Sequence, residues 1–271
     1  MKHRSLHRAH HFAMSYPTSM GQRVYTLMLA PVLIVGLMYV AIHFYPSFSS
    51  PSEDVSLASI ITASLYTLGR ITIAYIFAVI IAIPLSILAV SNSTVEEILL
   101  PIFDVLESIP ILAIFPVIIV IFIQFNFLNG AAIFILFLNM LWNLVFAIIG
   151  GLKIVPRDIT DAAHVFGLQR FSYIRRVLLP AIFPQLVTGS ILAVADGWNI
   201  VIVAEALHTY MPHGAATQDL FGIGSLLISA ATNAENSTFL TTVFVMVIMI
   251  ALINFFVWQK LLHLAQRFRF E

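Results

Sequence analysis

No cysteine occurs in the 271 residues, which excludes disulfides, thiolate chemistry and cysteine metal sites and leaves the redox compartment undetermined. Charge is scarce as well: Asp, Glu, Lys and Arg make up 10% of the chain and cancel to a net charge of zero, against roughly 25% charged residues in a typical soluble domain. Nothing in that balance calls for a nucleic-acid partner. The phosphate-cradling pattern G-x-x-x-x-G-K-[ST] is missing, so the chain is not expected to bind ATP itself. Neither H-E-x-x-H nor G-x-S-x-G is present, which weighs against an intramembrane hydrolase. Tandem repeats and linkers rich in Gly, Ser or Pro are also lacking, and the chain reads as one domain.

What is abundant is apolar surface. Hydrophobic residues make up 60% of the chain, in runs long enough to cross a bilayer, and the expected class is an all-α polytopic membrane protein. Spans are expected at about 24–44, 66–90, 111–125, 130–150, 186–207 and 239–258. Six spans put both termini on one side. The basic start, Lys2, Arg4, Arg8 and Arg23, makes that side cytoplasmic, and the first span has no small-residue cleavage site, so it reads as a retained helix. Lys153, Arg157, Arg170, Arg175, Arg176, Lys260, Arg267 and Arg269 then fall inside as well. The two outer loops, 45–65 and 208–238, contain Glu53, Asp54, Asp219 and Glu235 and no Lys or Arg. Pro110 and Pro116 are expected to break the third span, behind an amphipathic helix over 98–108 that carries Asp104 and Glu107. Pro84 is expected to kink the second.

Between two greasy stretches lies a charged, helix-patterned insert, 153–184. Asp158 is placed to cap a short helix, with Asp161 in its first turn beside the positive end of the dipole. Gly167 tolerates the left-handed conformation that ends such a helix, and a second helix is expected from about Gln169 until Pro180 breaks it. Phe171, Ile174 and Leu178 form one apolar stripe on that second helix, with Arg170, Arg175 and Arg176 mostly off it. Ala162 and Ala163 leave a smooth, shallow spot. The expected shape is a helical hairpin with a small-residue tip; on pattern alone, a plain solvated link between two spans fits equally.

The spacing within this insert, Asp161-Ala162-Ala163, three residues, Gly167, nine residues, Val177, one residue, Leu179-Pro180, resembles the EAA loop of binding-protein-dependent ABC importer permeases. Asp161 stands where Glu is usual and Val177 where Ile is usual. The likeness runs from about Ser64 to the end. The segments Glu107-Ser108-Ile109-Pro110 and Ile114-Phe115-Pro116 are similar to ones the family carries at this place. The likeness is strongest to the nitrate, sulfonate and taurine type, whose second span the stretch 66–88, with Arg70 and Ile83-Pro84-Leu85, resembles. Gly197-Trp198-Asn199 with Val203-Ala204-Glu205, and the tail 254–267 with Trp258, are similar to anion permeases that carry two such units in one polypeptide. The resemblance implies a type I importer transmembrane domain over 24–271, behind a cytoplasmic basic tail, 1–23. It implies a coupling segment, 151–185, in which Asp161, Ala162, Ala163, His164, Gly167, Val177, Leu179 and Pro180 meet a separate ATP-binding cassette ATPase. The implied partners are that ATPase, with ATP and Mg on it, an extracytoplasmic solute-binding protein and a second permease unit, most simply a copy of this chain. The implied place is the cytoplasmic membrane, and the implied cargo is a small anion such as nitrate, a sulfonate or taurine.

Polar residues at bilayer depth are costly and face a bundle interior or a watery path. Asp196 and Asn199 share a face of the fifth span, either lining that path or bonding a neighbouring helix. Glu205, nine residues from Asp196, falls on the opposite face. Arg70, the one basic residue away from the cytoplasm, either attracts an anion or pairs with Asp196 or Glu205. Asn139 and Asn143, four residues apart, suit interhelical hydrogen bonding. His3, His7, His10 and His11 resemble a metal tract, but a basic tail near lipid headgroups accounts for them, and no metal site is expected. A self-sufficient secondary carrier or channel is the alternative, though paired discontinuous helices in inverted halves are not evident. For a membrane enzyme the chain offers no convincing nucleophile.

Overall fold

The computed structural model describes residues 55–168, 170–207 and 219–268. The expected first span, 24–44, the basic tail with its four histidines and the segment 208–218 lie outside them. In chain order the helices are α1 (Leu57–Ala89), α2 (Ser93–Ser108), α3 (Ile111–Gln124), α4 (Leu128–Lys153), α5 (Arg157–Val165) and α6 (Arg170–Tyr173). After a π-helical turn (Ile174–Leu178) come α7 (Leu179–Glu205), α8 (Ile223–Thr232) and α9 (Asn236–Ile253). A second π-helical turn (Asn254–Trp258) leads into α10 (Gln259–Ala265) and a final 3-10 turn (Gln266–Phe268). Four continuous helical stretches, Leu57–Ala89, Leu128–Lys153, Phe171–Glu205 and Asn236–Phe268, are long and apolar enough to cross a membrane. α2 and α3 together make a fifth, bent by 82°.

α4 is the central post, packed on α1 along one side and on α7 along another. Its buried residues come in pairs a helical turn apart, Ala131 and Ala132, Ile135 and Leu136, Met140 and Leu141, Leu144 and Val145, Ile148 and Ile149. Two adjacent stripes of that kind can serve two neighbours at once. α1 answers with a small-residue stripe, Ala63, Thr67, Ala74, Ala78, Ala82, Ser86 and Ala89, all buried. Small residues at such spacing let membrane helices approach closely. The approach is close enough for Ser86 Oγ to donate to the Val145 carbonyl at 3.1 Å. On the α7 side, a Cβ at Gly189 would meet Ala147 Cβ at 2.5 Å, so only glycine fits that crossing.

Several sequence-based boundaries shift. α1 begins at Leu57 and continues past Pro84 to Ala89 as one helix. α2 starts five residues before expectation, because Asn92 caps it by accepting from the Val95 N–H at 2.8 Å. The break before α3 falls at Ile109 and Pro110; Pro116 lies inside α3 without ending it. The loop 208–238 holds an unexpected helix, α8.

Pro180 does not end the second helix of the hairpin either. The chain widens into the π turn, where the Leu179 N–H reaches back to the Ile174 carbonyl, and α7 starts at Leu179. Pro180 thereby occupies the first turn of a new helical segment, where its missing N–H removes no bond. Phe171, expected on the buried stripe, is exposed, while Ile174 and Leu178 are half-buried. The π turn takes more residues per revolution than an α-helix, so positions on its two sides do not keep a common face.

Candidate functional site

Two places in the fold gather the polar residues. The first is the hairpin. Asp158 lies in the first turn of α5 and not at its cap, because the helix already starts at Arg157. Asp161 and Ala162 are exposed, whereas Ala163 is buried, so the expected two-alanine spot is a one-alanine surface beside a packed residue. Gly167 has φ +68, and the Leu168 N–H bonds the Ala163 carbonyl at 3.0 Å. That six-to-one closure around a left-handed glycine is a Schellman helix end. Val165 and Phe166, at 85% and 81% exposure, stand out from the tip. His164 is on the same helix. Val177 lies in the π turn, and Leu179 and Pro180 open α7, all three half-buried.

The second place is a buried polar cluster at the far end of the bundle. Glu205, the last residue of α7, is fully buried and forms an ion pair with Arg70 of α1 at 2.6 Å. Its Oε1 also accepts from Thr67 Oγ1 at 2.7 Å, and its Oε2 from the Gly224 N–H at 2.7 Å. Thr67 Oγ1 in turn accepts from the Ile223 N–H at 2.9 Å. Arg70 Nε donates to Asn129 Oδ1 at 2.9 Å. One carboxylate thus ties together α1, α7, the start of α4 and the N-terminus of α8. Two glycines make room for it: a Cβ at Gly222 would collide with the Glu205 carboxylate, and one at Gly224 would meet the α7 backbone at 2.7 Å. Of the two carboxylates weighed as partners for Arg70, the structure pairs it with Glu205.

Asp196 has a different partner. Its Oδ2 accepts from Asn143 Nδ2 of α4 at 2.6 Å, so the opposite-face argument for Asp196 and Glu205 holds. Asn139, a turn before Asn143, is half-buried, and Asn199 is exposed. Tyr75 of α1 donates to Ser190 of α7 at 2.7 Å and packs edge-on against Trp258 at 6.3 Å, which joins the last span to the core. Sequence reasoning missed Thr67, Asn129, Gly222 and Gly224. Thr67, one turn before Arg70, was the readable one; the others depend on a long-range approach.

Beside the cluster an open cleft of ≈ 660 Å³ is lined by residues that include Tyr66, Arg70, Asn126, Asn129, Asp219 and Phe221. Among the described residues no group of His, Asp and Glu is placed to hold a metal ion.

The family described as binding-protein-dependent transport system inner membrane component matches residues 76–270. The chain belongs to that family. It is 32% identical over 180 residues to a nitrate import permease of Leptolyngbya laminosa, a match covering 66% of this chain and 62% of that one. With a taurine transport system permease of Escherichia coli K12 it shares 29% identity over 164 residues, 60% of this chain and 55% of the other. The matched region thus spans somewhat less than two thirds of these curated relatives. A solved structure of the MetNI methionine ABC transporter, in an inward-facing conformation, aligns at a TM-score of 0.63 and 18% identity, covering 77% of this chain and 97% of that one. The fold is the transmembrane fold of a type I ABC importer.

Proposed function

We propose that this chain lines the path of an ATP-driven importer of a small anion and receives the driving force through the hairpin 151–185. The observation that carries the reading is continuity. From Arg170 to Glu205 the backbone is helical without a loop, so the hairpin is one end of a rod whose other end carries the buried cluster. A separate ATP-binding cassette ATPase, holding ATP and Mg, grips the exposed face at Asp161 and Ala162, on the helix that also carries His164. Its closure displaces the hairpin, and α7 transmits that displacement to the contacts of Asp196 and Glu205 with their neighbours. Val177, Leu179 and Pro180 make the joint.

One unit does not enclose a path, and the second unit is taken to be another copy of this chain. The hairpin and both termini face the cytoplasm, the charge-poor loops face outward to a solute-binding protein, and 24–271 works as a single transmembrane domain behind the tail 1–23. Relatives named for nitrate and taurine favour a small anion. Arg70 does not supply that preference through net charge, because Glu205 neutralises it at 2.6 Å. Selection then rests on the binding protein and on uncharged donors such as Asn139, Asn143 and Asn199.

The test is uptake into vesicles that contain the permease, its ATPase and its binding protein, with nitrate and taurine as labelled solutes. ATP-dependent uptake that Ala162→Arg abolishes, with the permease still inserted, is the expected result. Uptake by this chain alone, driven by an ion gradient, would refute it.

A further inference from the structure

After the second π turn the chain resumes as α10, and Lys260, His263, Leu264 and Arg267 fall at i, i+3, i+4 and i+7, one face of a helix. All four are exposed. The opposite face is the attached one: Trp258 and Ala265 are buried, and Phe268 packs edge-on against Phe183 of α7 at 5.5 Å. The basic face therefore points away from the bundle. It borders an open cleft of ≈ 300 Å³ lined, among the described residues, by those four.

Two further features decide what such a cleft would hold. The stretch Asn236–Phe268 contains no Asp or Glu, and among the described residues neither Lys260 nor Arg267 has a salt-bridge partner. Immediately before α10, Leu252, Phe255, Phe256 and Val257 are 43–54% exposed, and Lys260 Nζ stands 5.9 Å from the Phe256 ring centre. Phe256 to Arg267 covers roughly 16 Å along a helix. Over that distance the exposed surface changes from apolar to cationic.

We propose that Lys260, His263 and Arg267 form a binding site for the phosphate of an anionic phospholipid, with Phe255, Phe256 and Val257 against its acyl chains. A soluble phosphate would use the cations and leave the aromatic skirt without a role, and a cytosolic protein would have to seat itself over residues at hydrocarbon depth. Long basic side chains at the end of a span reach toward headgroups readily, and basic pockets between or beside spans bind such lipids. Here the cations converge on one cleft, which orientation by charge alone does not require. The inference rests on the membrane-spanning reading and not on the solute or the ATPase.

The test uses the full chain in its purified assembly, with bound lipids counted by native mass spectrometry after mixing with phosphatidylglycerol or phosphatidylcholine. Selective retention of phosphatidylglycerol is expected, weakened on the order of 20-fold by K260Q/R267Q, at about 5-fold per charge. K260R/R267K retains it, and R175Q/R176Q, which removes equal charge from the hairpin, leaves it unchanged. Three results would overturn the proposal: unchanged phosphatidylglycerol binding in K260Q/R267Q, displacement of the lipid by equimolar inorganic phosphate, or loss of ATPase association in that variant with lipid binding intact. The last would make the face a protein-docking surface. The substituted positions are exposed, and thermal unfolding like that of the unaltered chain confirms that folding is retained.

Discussion

Replacing Glu205 with alanine removes three hydrogen-bond acceptances, one of them within the ion pair to Arg70, from a site with no exposure. Among the described residues Arg70, 6% exposed, keeps Asn129 as its partner, and the Thr67 hydroxyl and Gly224 N–H lose their acceptor. Removing one member of a buried pair costs about 3–5 kcal/mol. For a chain of this size that corresponds to a fall in unfolding temperature of roughly 6–20 °C. Arg70→Met does the reverse, leaving a fully buried carboxylate, and belongs in the same range. Arg70→Met with Glu205→Leu removes both charges, and its cost is expected to be far below the roughly 6–10 kcal/mol sum of the single changes. Thermal unfolding of the four purified forms in one lipid mixture measures the coupling. If the single variants melt within about a degree of the unaltered chain, or the double variant shows the full sum, the cluster is not the clamp that its geometry describes.

The hairpin separates two alanines that look equivalent in sequence. Ala162→Arg adds a charge to an exposed surface and is expected to abolish ATPase co-purification with unfolding unchanged, whereas Ala163→Arg forces a long side chain into a buried position and is expected to lower stability as well. Gly167→Val is expected to cost about 1–2 kcal/mol through the left-handed backbone alone, since the space around its Cβ is open. Gly167→Asn should retain more ATPase association in the same pull-down. Asp196→Leu removes the acceptor for Asn143, an interhelical bond worth on the order of 1 kcal/mol in a membrane. Uptake is expected to change with ATPase association intact, and unfolding of the assembly instead would make the pair structural.

Much of this architecture is readable from the chain. The alanine and serine stripe of α1 at helical spacing marks a face built for close approach, and α4 supplies paired apolar stripes against two neighbours. The placement of Asp196 and Glu205 on opposite faces follows from their nine-residue separation, and the structure gives them separate partners. Other features depend on approaches that no local pattern encodes. α8 begins where the Gly224 N–H meets a carboxylate 19 residues earlier and the Ile223 N–H meets Thr67, with Ser225 of its own first turn accepting from the Gly222 N–H, so two of the three contacts that set its start come from distant residues. Pro116 stays helical inside α3, since a proline within a membrane helix is tolerated where neighbouring groups satisfy the carbonyl it frees. Gly222 reads as a turn residue in isolation, and its collision with Glu205 shows that it is a space reserved for the carboxylate.

The joint between hairpin and span carries the same lesson to its sharpest consequence. A proline in a helix interior costs about 3 kcal/mol, through a lost bond and a clash with the carbonyl four residues back. Yet helix runs on both sides of Pro180. The π turn reconciles the two, because one extra residue widens the coil just before Pro180 and gives it the tolerance of a first helical turn. Deleting Val177 removes that residue, and the turn is expected to close into regular α-helix with Pro180 in its interior. Flanking faces stay nearly in register, so the hairpin is not swung away, and the cost falls on stability, at about 3 kcal/mol. Pro180→Ala added to the deletion should then recover most of the loss, although Pro180→Ala alone does little. Unfolding and ATPase co-purification of the three forms decide the matter. A deletion that the alanine does not rescue would show that Val177 acts through its own contacts and that the widened turn is not there to house the proline.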